Sequence, residues 1–348
     1  MTNSKIITGL VSFGMSGRIF HAPFIERNPN FELKTILERT KSKSKELYPN
    51  TTIVRSFDEL LNDVELDLIV INSPTYLHFE MAKQALLANK HVVLEKPITA
   101  TSKEGQELLA LSNERSLMLA VYHNKRFEGG YKTVQKLLVN QKFGELLNSK
   151  FAVHRYRPDI GPKAWKEETY PGAGILYDIG SHLIDQCLVL FGWPLDLQAD
   201  LQIQRNNGAV IDYFELALIY KDFTATIVSD MLTKKSKPTL TLVGTKSTYI
   251  KYGADPQESR LAQEPINWDK IGADFPENYG TLTNNHTQEI QNIKTEEGSY
   301  SQFYENVYEV LRLNKPLLIT PEQALDVIKI IEWAFESTKV IKLNSTNV

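Results

Sequence analysis

Six residues directly after the first β-branched run, Ser12-Phe13-Gly14-Met15-Ser16-Gly17, have a spacing that can cradle phosphates. In the fingerprint Gly-x-Gly-x-x-Gly, the second glycine lets backbone approach a pyrophosphate and the third lets helix pack closely on strand. Gly14 and Gly17 hold those two places, and Ser12 stands at the first. A helix starting here offers free N–H groups and the positive end of its dipole. The acidic residue that binds the ribose hydroxyls belongs at the end of the second strand, roughly 20 residues on. Glu38 stands there, followed by Arg39. A carboxylate repels a 2′-phosphate and an arginine accepts one, so NAD and NADP both stay open, with the carboxylate tilting the balance to NAD. The third feature is Glu95-Lys96-Pro97, at the end of a buried apolar run. A lysine at the carboxyl end of a sheet strand faces the crevice where ligands bind. Its ammonium can hold a substrate hydroxyl or share a proton relay, with Glu95 adjusting its charge.

Positioning these residues requires a doubly wound sheet. Residues 6–12, 31–38, 52–55, 66–72, 91–94 and 117–122 read as strands, and 17–27, 42–47, 57–62, 76–88 and 102–114 as the helices between them. Strand–helix alternation implies parallel strands with right-handed crossovers. After a helix at 131–139 the pattern changes. A long strand at 147–157 and one helix at 176–191 precede strands at 197–205, 211–220, 224–231, 239–243 and 248–252. That succession predicts hairpins and a mostly antiparallel sheet. Residues 253–297 read as a long loop region, and helices at 301–313 and 321–339 close the chain. In the second of these, Ala324, Ile328, Ile331 and Phe335 form one apolar stripe. The fold class is therefore α/β: an N-terminal Rossmann domain over 1–124 and a C-terminal α+β domain with a large open sheet over 125–348, the last helix able to pack back on the first.

Composition limits the partners. The 348 residues carry a formal net charge of −3, which argues against nucleic acid. One cysteine, Cys187 in an apolar run, rules out an internal disulfide and a Cys-rich zinc site. His21, His91, His154 and His286 lack metal-ligand spacing, so no metal is expected. No run approaches the ~20 apolar residues of a membrane span, and the N-terminus lacks a signal-peptide pattern, so a cytoplasmic location is expected.

With these residues placed, the chain resembles the Gfo/Idh/MocA oxidoreductases. Glu95-Lys96-Pro97 at this distance from the glycine turn is one mark, and Asp178-Ile179-Gly180-Ser181-His182 is the other. Phe20-His21-Ala22-Pro23, Tyr122-His123-Asn124, Arg155-Tyr156-Arg157-Pro158 and the run 251–258 are similar to the bacterial scyllo-inositol 2-dehydrogenase subgroup, whose members prefer NADP. The resemblance implies hydride transfer between a cyclitol or sugar hydroxyl and nicotinamide. Lys96, Asp178 and His182 are then catalytic. Asp178 and His182 are four apart, which stacks them on one helix face, with Asp185 continuing the stripe. His182 would take the hydroxyl proton, Lys96 would hold the same oxygen, and Asp178 would bind a neighbouring hydroxyl or steady the imidazole. The resemblance also places Ser73-Pro74 and His78 on a loop crossing the cofactor, and His123, Asn124 and Arg126 at the cleft. Tyr156, Arg157 and Trp165 suit contact with a sugar ring.

Two other readings remain: a non-catalytic NAD(P)-sensing regulator, and a dehydrogenase or reductase of another sugar or carbonyl compound. A binding-only relative has no need to keep Lys96, Asp178 and His182 together, which favours the enzyme. An open sheet face predicts a homodimer or homotetramer.

Overall fold

The computed structural model describes residues 4–343, the side chains of Ala164 and Trp165 excepted. Of these, one compact unit runs through Asn124 and takes in Glu258–Ile266 and Tyr300–Asp326, and the other holds Lys125–Gln257, Asn267–Ser299 and the chain from Val327 on. In chain order the elements are β1 (Ile6–Leu10), α1 (Ala22–Arg27), β2 (Phe31–Leu37), α2 (Ser44–Leu47), β3 (Thr52–Val54) and α3 (Phe57–Leu61). Then come β4 (Leu68–Ile71), α4 (His78–Leu87), β5 (His91–Glu95), α5 (Ser102–Glu114) and β6 (Leu119–Tyr122). They are followed by α6 (Gly129–Val139), β7 (Leu146–His154), α7 (Ala164–Glu167), α8 (Ser181–Phe191), β8 (Asp196–Ile203), β9 (Tyr213–Ile219) and β10 (Thr224–Asp230). The chain ends through β11 (Leu240–Gly244), β12 (Ser247–Lys251), α9 (Gln257–Leu261), β13 (Gly280–Asn284), β14 (Ile290–Ile293), α10 (Ser301–Leu313), α11 (Pro321–Ser337) and β15 (Ile341–Lys342).

In the first unit six strands form a wholly parallel sheet in the order β3-β2-β1-β4-β5-β6. Every residue of β4, Leu-Ile-Val-Ile, is fully buried, as a strand covered on both faces must be. The order reverses between β1 and β4, and ligands of such sheets bind at that switch, outside the carboxyl ends of the strands. The chain is not divided by a single cut after Asn124, because α10 belongs to this unit. Its Tyr304 and Phe303 join Phe31, His21 and Tyr122 in a buried aromatic cluster, with ring centroids 4.6 to 6.3 Å apart. Arg312, near its other end, pairs with Asp67 at 3.1 Å.

In the second unit nine strands run in the order β14-β13-β12-β11-β7-β10-β9-β8-β15. The pairs β7–β10 and β8–β15 are parallel and the rest antiparallel. Burial alternates along β9: Phe214, Leu216 and Leu218 are fully buried while Tyr213, Glu215, Ala217 and Ile219 are half-exposed. The buried face receives α8, with Phe214 against Gly180. The region 253–297 is not one long loop: it contains α9, β13 and β14. Their strands are polar, and Leu282 of β13 is their one buried apolar side chain, so the alternation that marks a strand is nearly absent. β15 was likewise unsignalled, being two exposed residues on the opposite edge. Among the described residues no helix is long and apolar enough to cross a membrane.

Phe214→Ala is expected to lower unfolding free energy by about 3–5 kcal/mol in urea titrations. Glu215→Ala, on the other face of the same strand, should change it by about 0.5 kcal/mol or less, since its partner Lys150 is a half-exposed contact at 3.6 Å.

Candidate functional site

After β1, residues 11–14 turn the chain into a helical run over 15–27, whose second turn, Gly17–His21, is widened into a π-turn. The Gly14 amide donates to Ser12 Oγ at 3.2 Å, and Asn72 Nδ2 donates to the Ser12 carbonyl at 2.8 Å. A Cβ on Gly17 would lie 2.0 Å from that carbonyl oxygen, so no larger residue lets the helix close on the strand end. At Gly14 the nearest atom to such a Cβ is Ser12 Oγ at 3.4 Å, an ordinary contact. The chain itself leaves room for a methyl there, and the bare backbone faces outward. Asn72 Oδ1 and Ser73 Oγ, just past β4, are buried with no hydrogen-bond partner among the described residues. A glycine cradle, a helix start and two unmatched polar groups at the switch between β1 and β4 fit a dinucleotide. Phe13 packs edge-on against Tyr48, centroids 5.9 Å apart, and Met15 is exposed.

β5 ends on a largely buried carboxylate, 13% exposed. Glu95 Oε1 accepts from Ser16 Oγ at 2.9 Å and lies 3.0 Å from His21 Nε2, while Oε2 accepts from the Lys96 amide at 3.2 Å. His21 Nδ1 lies 2.7 Å from Tyr304 Oη. Burial by itself would push the Glu95 carboxyl up. The His21 ring, the Lys96 charge and the Ser16 hydroxyl outweigh it and hold the carboxyl at about 2. Glu95 is therefore ionised and accepts only, which puts a proton on His21 Nε2. Glu95 thereby fastens the glycine turn and the backbone of Lys96 to one group, and Lys96 itself is half-buried.

His78 is buried rather than solvated. Its Nδ1 lies 2.8 Å from the Pro97 carbonyl and its Nε2 3.0 Å from the Ser73 carbonyl, and burial pushes its pKa down. It braces the Ser73-Pro74 turn against the Lys96-Pro97 turn and presents neither nitrogen outward. Glu38 is also turned inward, with its carboxylate on the following loop, while Arg39 is exposed. His123 and Asn124, past β6, are both buried.

In the second unit the residues before α8, Leu176–Gly180, form another π-turn. The Asp178 carboxylate pairs with Lys166 Nζ at 2.8 Å, and His182 is buried at the start of α8. Arg126 is not a free cleft residue either: its Nε and Nη2 clasp Asp185 at 2.8 and 2.6 Å, both side chains being under 10% exposed. With Gln186 Nε2 donating to the Lys125 carbonyl at 2.9 Å, this pair buckles α8 to the turn Asn124–Phe127. Tyr156 is exposed, with Lys234 Nζ 5.4 Å from its ring centre, and the Arg157 amide donates to the Met231 carbonyl. The side chain of Trp165 lies outside the described residues. Cys187 is buried, and burial pushes its thiol up, as for a core residue.

Sequence reasoning missed His21, Tyr304 and Lys166. For His21 a signal existed in the quoted run Phe20-His21-Ala22-Pro23, a histidine inside an otherwise apolar helix start. Tyr304 reaches it across 283 residues, a separation that no local pattern reports.

Glu95→Gln tests the network through pH. A carboxyl held at about 2 against an ordinary 4.5 contributes stability that is present above about pH 4.5 and lost as pH falls towards 2. Wild type should exceed the variant by roughly 3 kcal/mol in urea unfolding at pH 7, and the gap should narrow below pH 4.5. A gap independent of pH would mean that the charge is not what matters.

Residues 6–123 match the oxidoreductase family with NAD-binding Rossmann fold, and residues 135–342 match the same family's C-terminal alpha/beta domain. The chain is 35% identical to the scyllo-inositol 2-dehydrogenase (NADP(+)) IolW of Bacillus subtilis, over 96% of this chain and 94% of that protein. Among solved structures, YvaA of Bacillus subtilis superposes with a TM-score of 0.91 at 33% identity, covering 97% of each chain. A Bacteroides fragilis protein superposes at 0.87 with 42% identity, over 96% of this chain and 97% of the other. From its glycine turn to its second sheet, the chain belongs to the Gfo/Idh/MocA family of oxidoreductases.

Proposed function

We propose that the chain oxidises a secondary hydroxyl of a cyclitol or related sugar, scyllo-inositol-like, and passes hydride to NAD or NADP. The observation that carries this reading is the double grip of Glu95, which ties Lys96 to Ser16 of the glycine turn. A lysine whose backbone is tied to the turn that would bind the pyrophosphate supports a role for Lys96 beside the cofactor. The substrate class is supported by the 35% identity to a scyllo-inositol 2-dehydrogenase over nearly the full length.

In this reading residues 12–17 hold the pyrophosphate, and the nicotinamide, when bound, accepts the hydride. His182 removes the hydroxyl proton as the carbinol carbon loses that hydride, and Lys96 stabilises the oxygen on which negative charge develops. Asp178, paired with Lys166, binds a neighbouring hydroxyl. His123, Asn124, Tyr156, Arg157 and Trp165 remain candidates for polyol contact. Arg126 and His78 act through the segments they brace.

The test is NADH and NADPH formation with a panel of inositols and aldoses. Turnover of an inositol is expected, and His182→Ala should lower kcat by about 100-fold or more, the usual worth of a general base. Lys96→Ala should lower turnover far more than nucleotide affinity, and equal losses in both would assign Lys96 to nucleotide binding alone. Silence across the panel with either nucleotide bound would leave a sensing role as the better account.

We also propose a homodimer or homotetramer through the open face of the nine-stranded sheet. That face is half-exposed and carries a depression of about 260 Å³ whose lining includes Lys150, His154, Tyr213, Glu215, Val228 and Pro238. A monomer mass by light scattering across micromolar concentrations would remove this proposal.

A further inference from the structure

Lys166 and Asp178 come from two different segments, and each segment must be held in place for the two to meet at 2.8 Å. Lys166 lies in α7, which is four residues long. A helix so short has no stability of its own, so tertiary contacts set its place. Consecutive helix residues point in different directions, and Glu167, next after Lys166, turns to Arg205. Glu167 Oε2 accepts from Arg205 Nη2 at 2.6 Å, and its Oε1 accepts from Arg205 Nη1 at 3.4 Å. The same Nη1 donates to the Asp159 carbonyl at 3.3 Å, and Glu167 Oε1 also accepts from the Gly161 amide at 3.4 Å. Arg205 thus grips the run 159–167 at both of its ends.

Arg205 belongs to the connection between β8 and β9, which Asp212 closes. The Asp212 carboxylate accepts from the Gln204 amide at 2.7 Å, the Arg205 amide at 3.0 Å and Arg205 Nε at 2.9 Å. Its own amide donates to the Gln202 carbonyl at 3.1 Å. The Arg205 and Asp212 side chains are 3% and 1% exposed, and that of Glu167 15%. A buried guanidinium fork between two carboxylates fixes direction as well as distance. One residue before Asp212, the Ile211 carbonyl accepts from the Ile175 amide at 2.8 Å. Ile175 leads directly into the π-turn that carries Asp178. The connection therefore touches both arms of the ion pair: Arg205 holds the end of α7, and Ile211 holds the entry to the turn.

We propose that Arg205 is a positioning residue for the Lys166–Asp178 pair, and through that pair for recognition of a substrate hydroxyl. Its guanidinium is buried and committed to Asp212, Glu167 and Asp159, so it acts through α7 rather than on a ligand. The consequence for substrate rests on the reading of Asp178 as a hydroxyl-binding group, whereas the placement of Lys166 does not. Deleting one member of a buried pair strands a charge, so the informative changes are conservative. Glu167→Gln leaves Arg205 on Asp212. Arg205→Lys keeps the charge but lacks the fork that spans both carboxylates.

The experiment is zero-length carbodiimide cross-linking of the full chain, with the Lys166–Asp178 amide quantified by mass spectrometry, beside kinetics with an inositol. The two side chains are 29% and 25% exposed, so the reagent reaches them. The link is expected in wild type, and its yield should fall about fivefold or more in both variants while unfolding stays cooperative. KM for the inositol should rise by about fivefold or more, with affinity for NAD⁺ and NADP⁺ held within about twofold. In an Asp178→Asn background the KM effect of Glu167→Gln should vanish, since residues acting through one pair are not additive. A merely structural residue would add its loss in either background, and a KM effect undiminished by Asp178→Asn would overturn the proposal. So would absence of the link in wild type, an undiminished yield in the folded variants, or a Glu167→Gln chain that does not fold. If Arg205→Lys alone does not fold, Glu167→Gln decides. Loss of the link in variants of a chain that turns over no inositol would keep the positioning role and remove the polyol reading. Inositol turnover with an unchanged yield would do the reverse.

Discussion

A largely buried negative charge at the end of β5 organises the first unit. Taking a carboxylate out of water is costly unless donors replace the water, and Glu95 meets that need with three groups from different parts of the chain. Ser16 comes from the glycine turn, His21 from the helix behind it, and the Lys96 amide from its own strand end. His21 in turn requires an acceptor or donor at its other nitrogen, and Tyr304 of α10 supplies it. The position of α10 in this unit, its aromatic cluster and the fastening of the glycine turn are thus linked to one ionised side chain. Moving any of these elements would leave the charge under-solvated.

A comparable device works in the second unit, by a different geometry. Arg126 and Asp185 form a bidentate pair with both partners almost fully buried, so the planar guanidinium fixes orientation as well as distance. Such pairs add little net stability over a well-packed apolar replacement, but breaking one is severe. The pair holds α8, which carries His182, in one rotation relative to the turn Asn124–Phe127. Arg205 repeats the arrangement beside the sheet, gripping Asp212 at 2.9 Å and Glu167 at 2.6 Å, and Glu167 ends α7, which also supplies Lys166 to Asp178. The segments with the polar candidate residues are therefore positioned by buried ion pairs, while apolar burial holds the sheet.

Much of this was legible in the sequence. The apolar runs of β4 and β5, and the glycine spacing after β1, mark the Rossmann unit because two-sided burial and a phosphate cradle leave strong local composition. The alternation of β9 marks the second sheet for the same kind of reason. What escaped was either polar or long-range. β13 and β14 bury too little to alternate visibly, and Tyr304 meets His21 only once the chain has folded. Side-chain direction escaped as well: Glu38, His78 and Arg126 each occupy a position consistent with ligand contact, and each is committed to the protein itself. Local spacing reports where a backbone goes, but the partner a side chain finds depends on elements far away in sequence.

The two π-turns show how such commitments are built into a helix. Ser16 and His21 are five residues apart, and both reach the same Glu95 oxygen. In a regular α-helix, residues three or four apart share a face, and residues five apart diverge. Hydrogen bonding from i to i+5 brings the fifth residue back into line, so the π-turn Gly17–His21 is what allows one carboxylate to accept from both. Gly17 opens that turn, and its missing side chain is also what lets the helix approach the Ser12 carbonyl. The second π-turn, Leu176–Gly180, ends on Gly180, where an added Cβ would meet Leu176 at 2.9 Å and the Phe214 ring at 3.4 Å. That turn carries Asp178, which pairs with Lys166, and a close helix–sheet contact anchors it from below. In both units a π-turn at the start of a helix carries polar groups, and a glycine packed against its surroundings holds it in place.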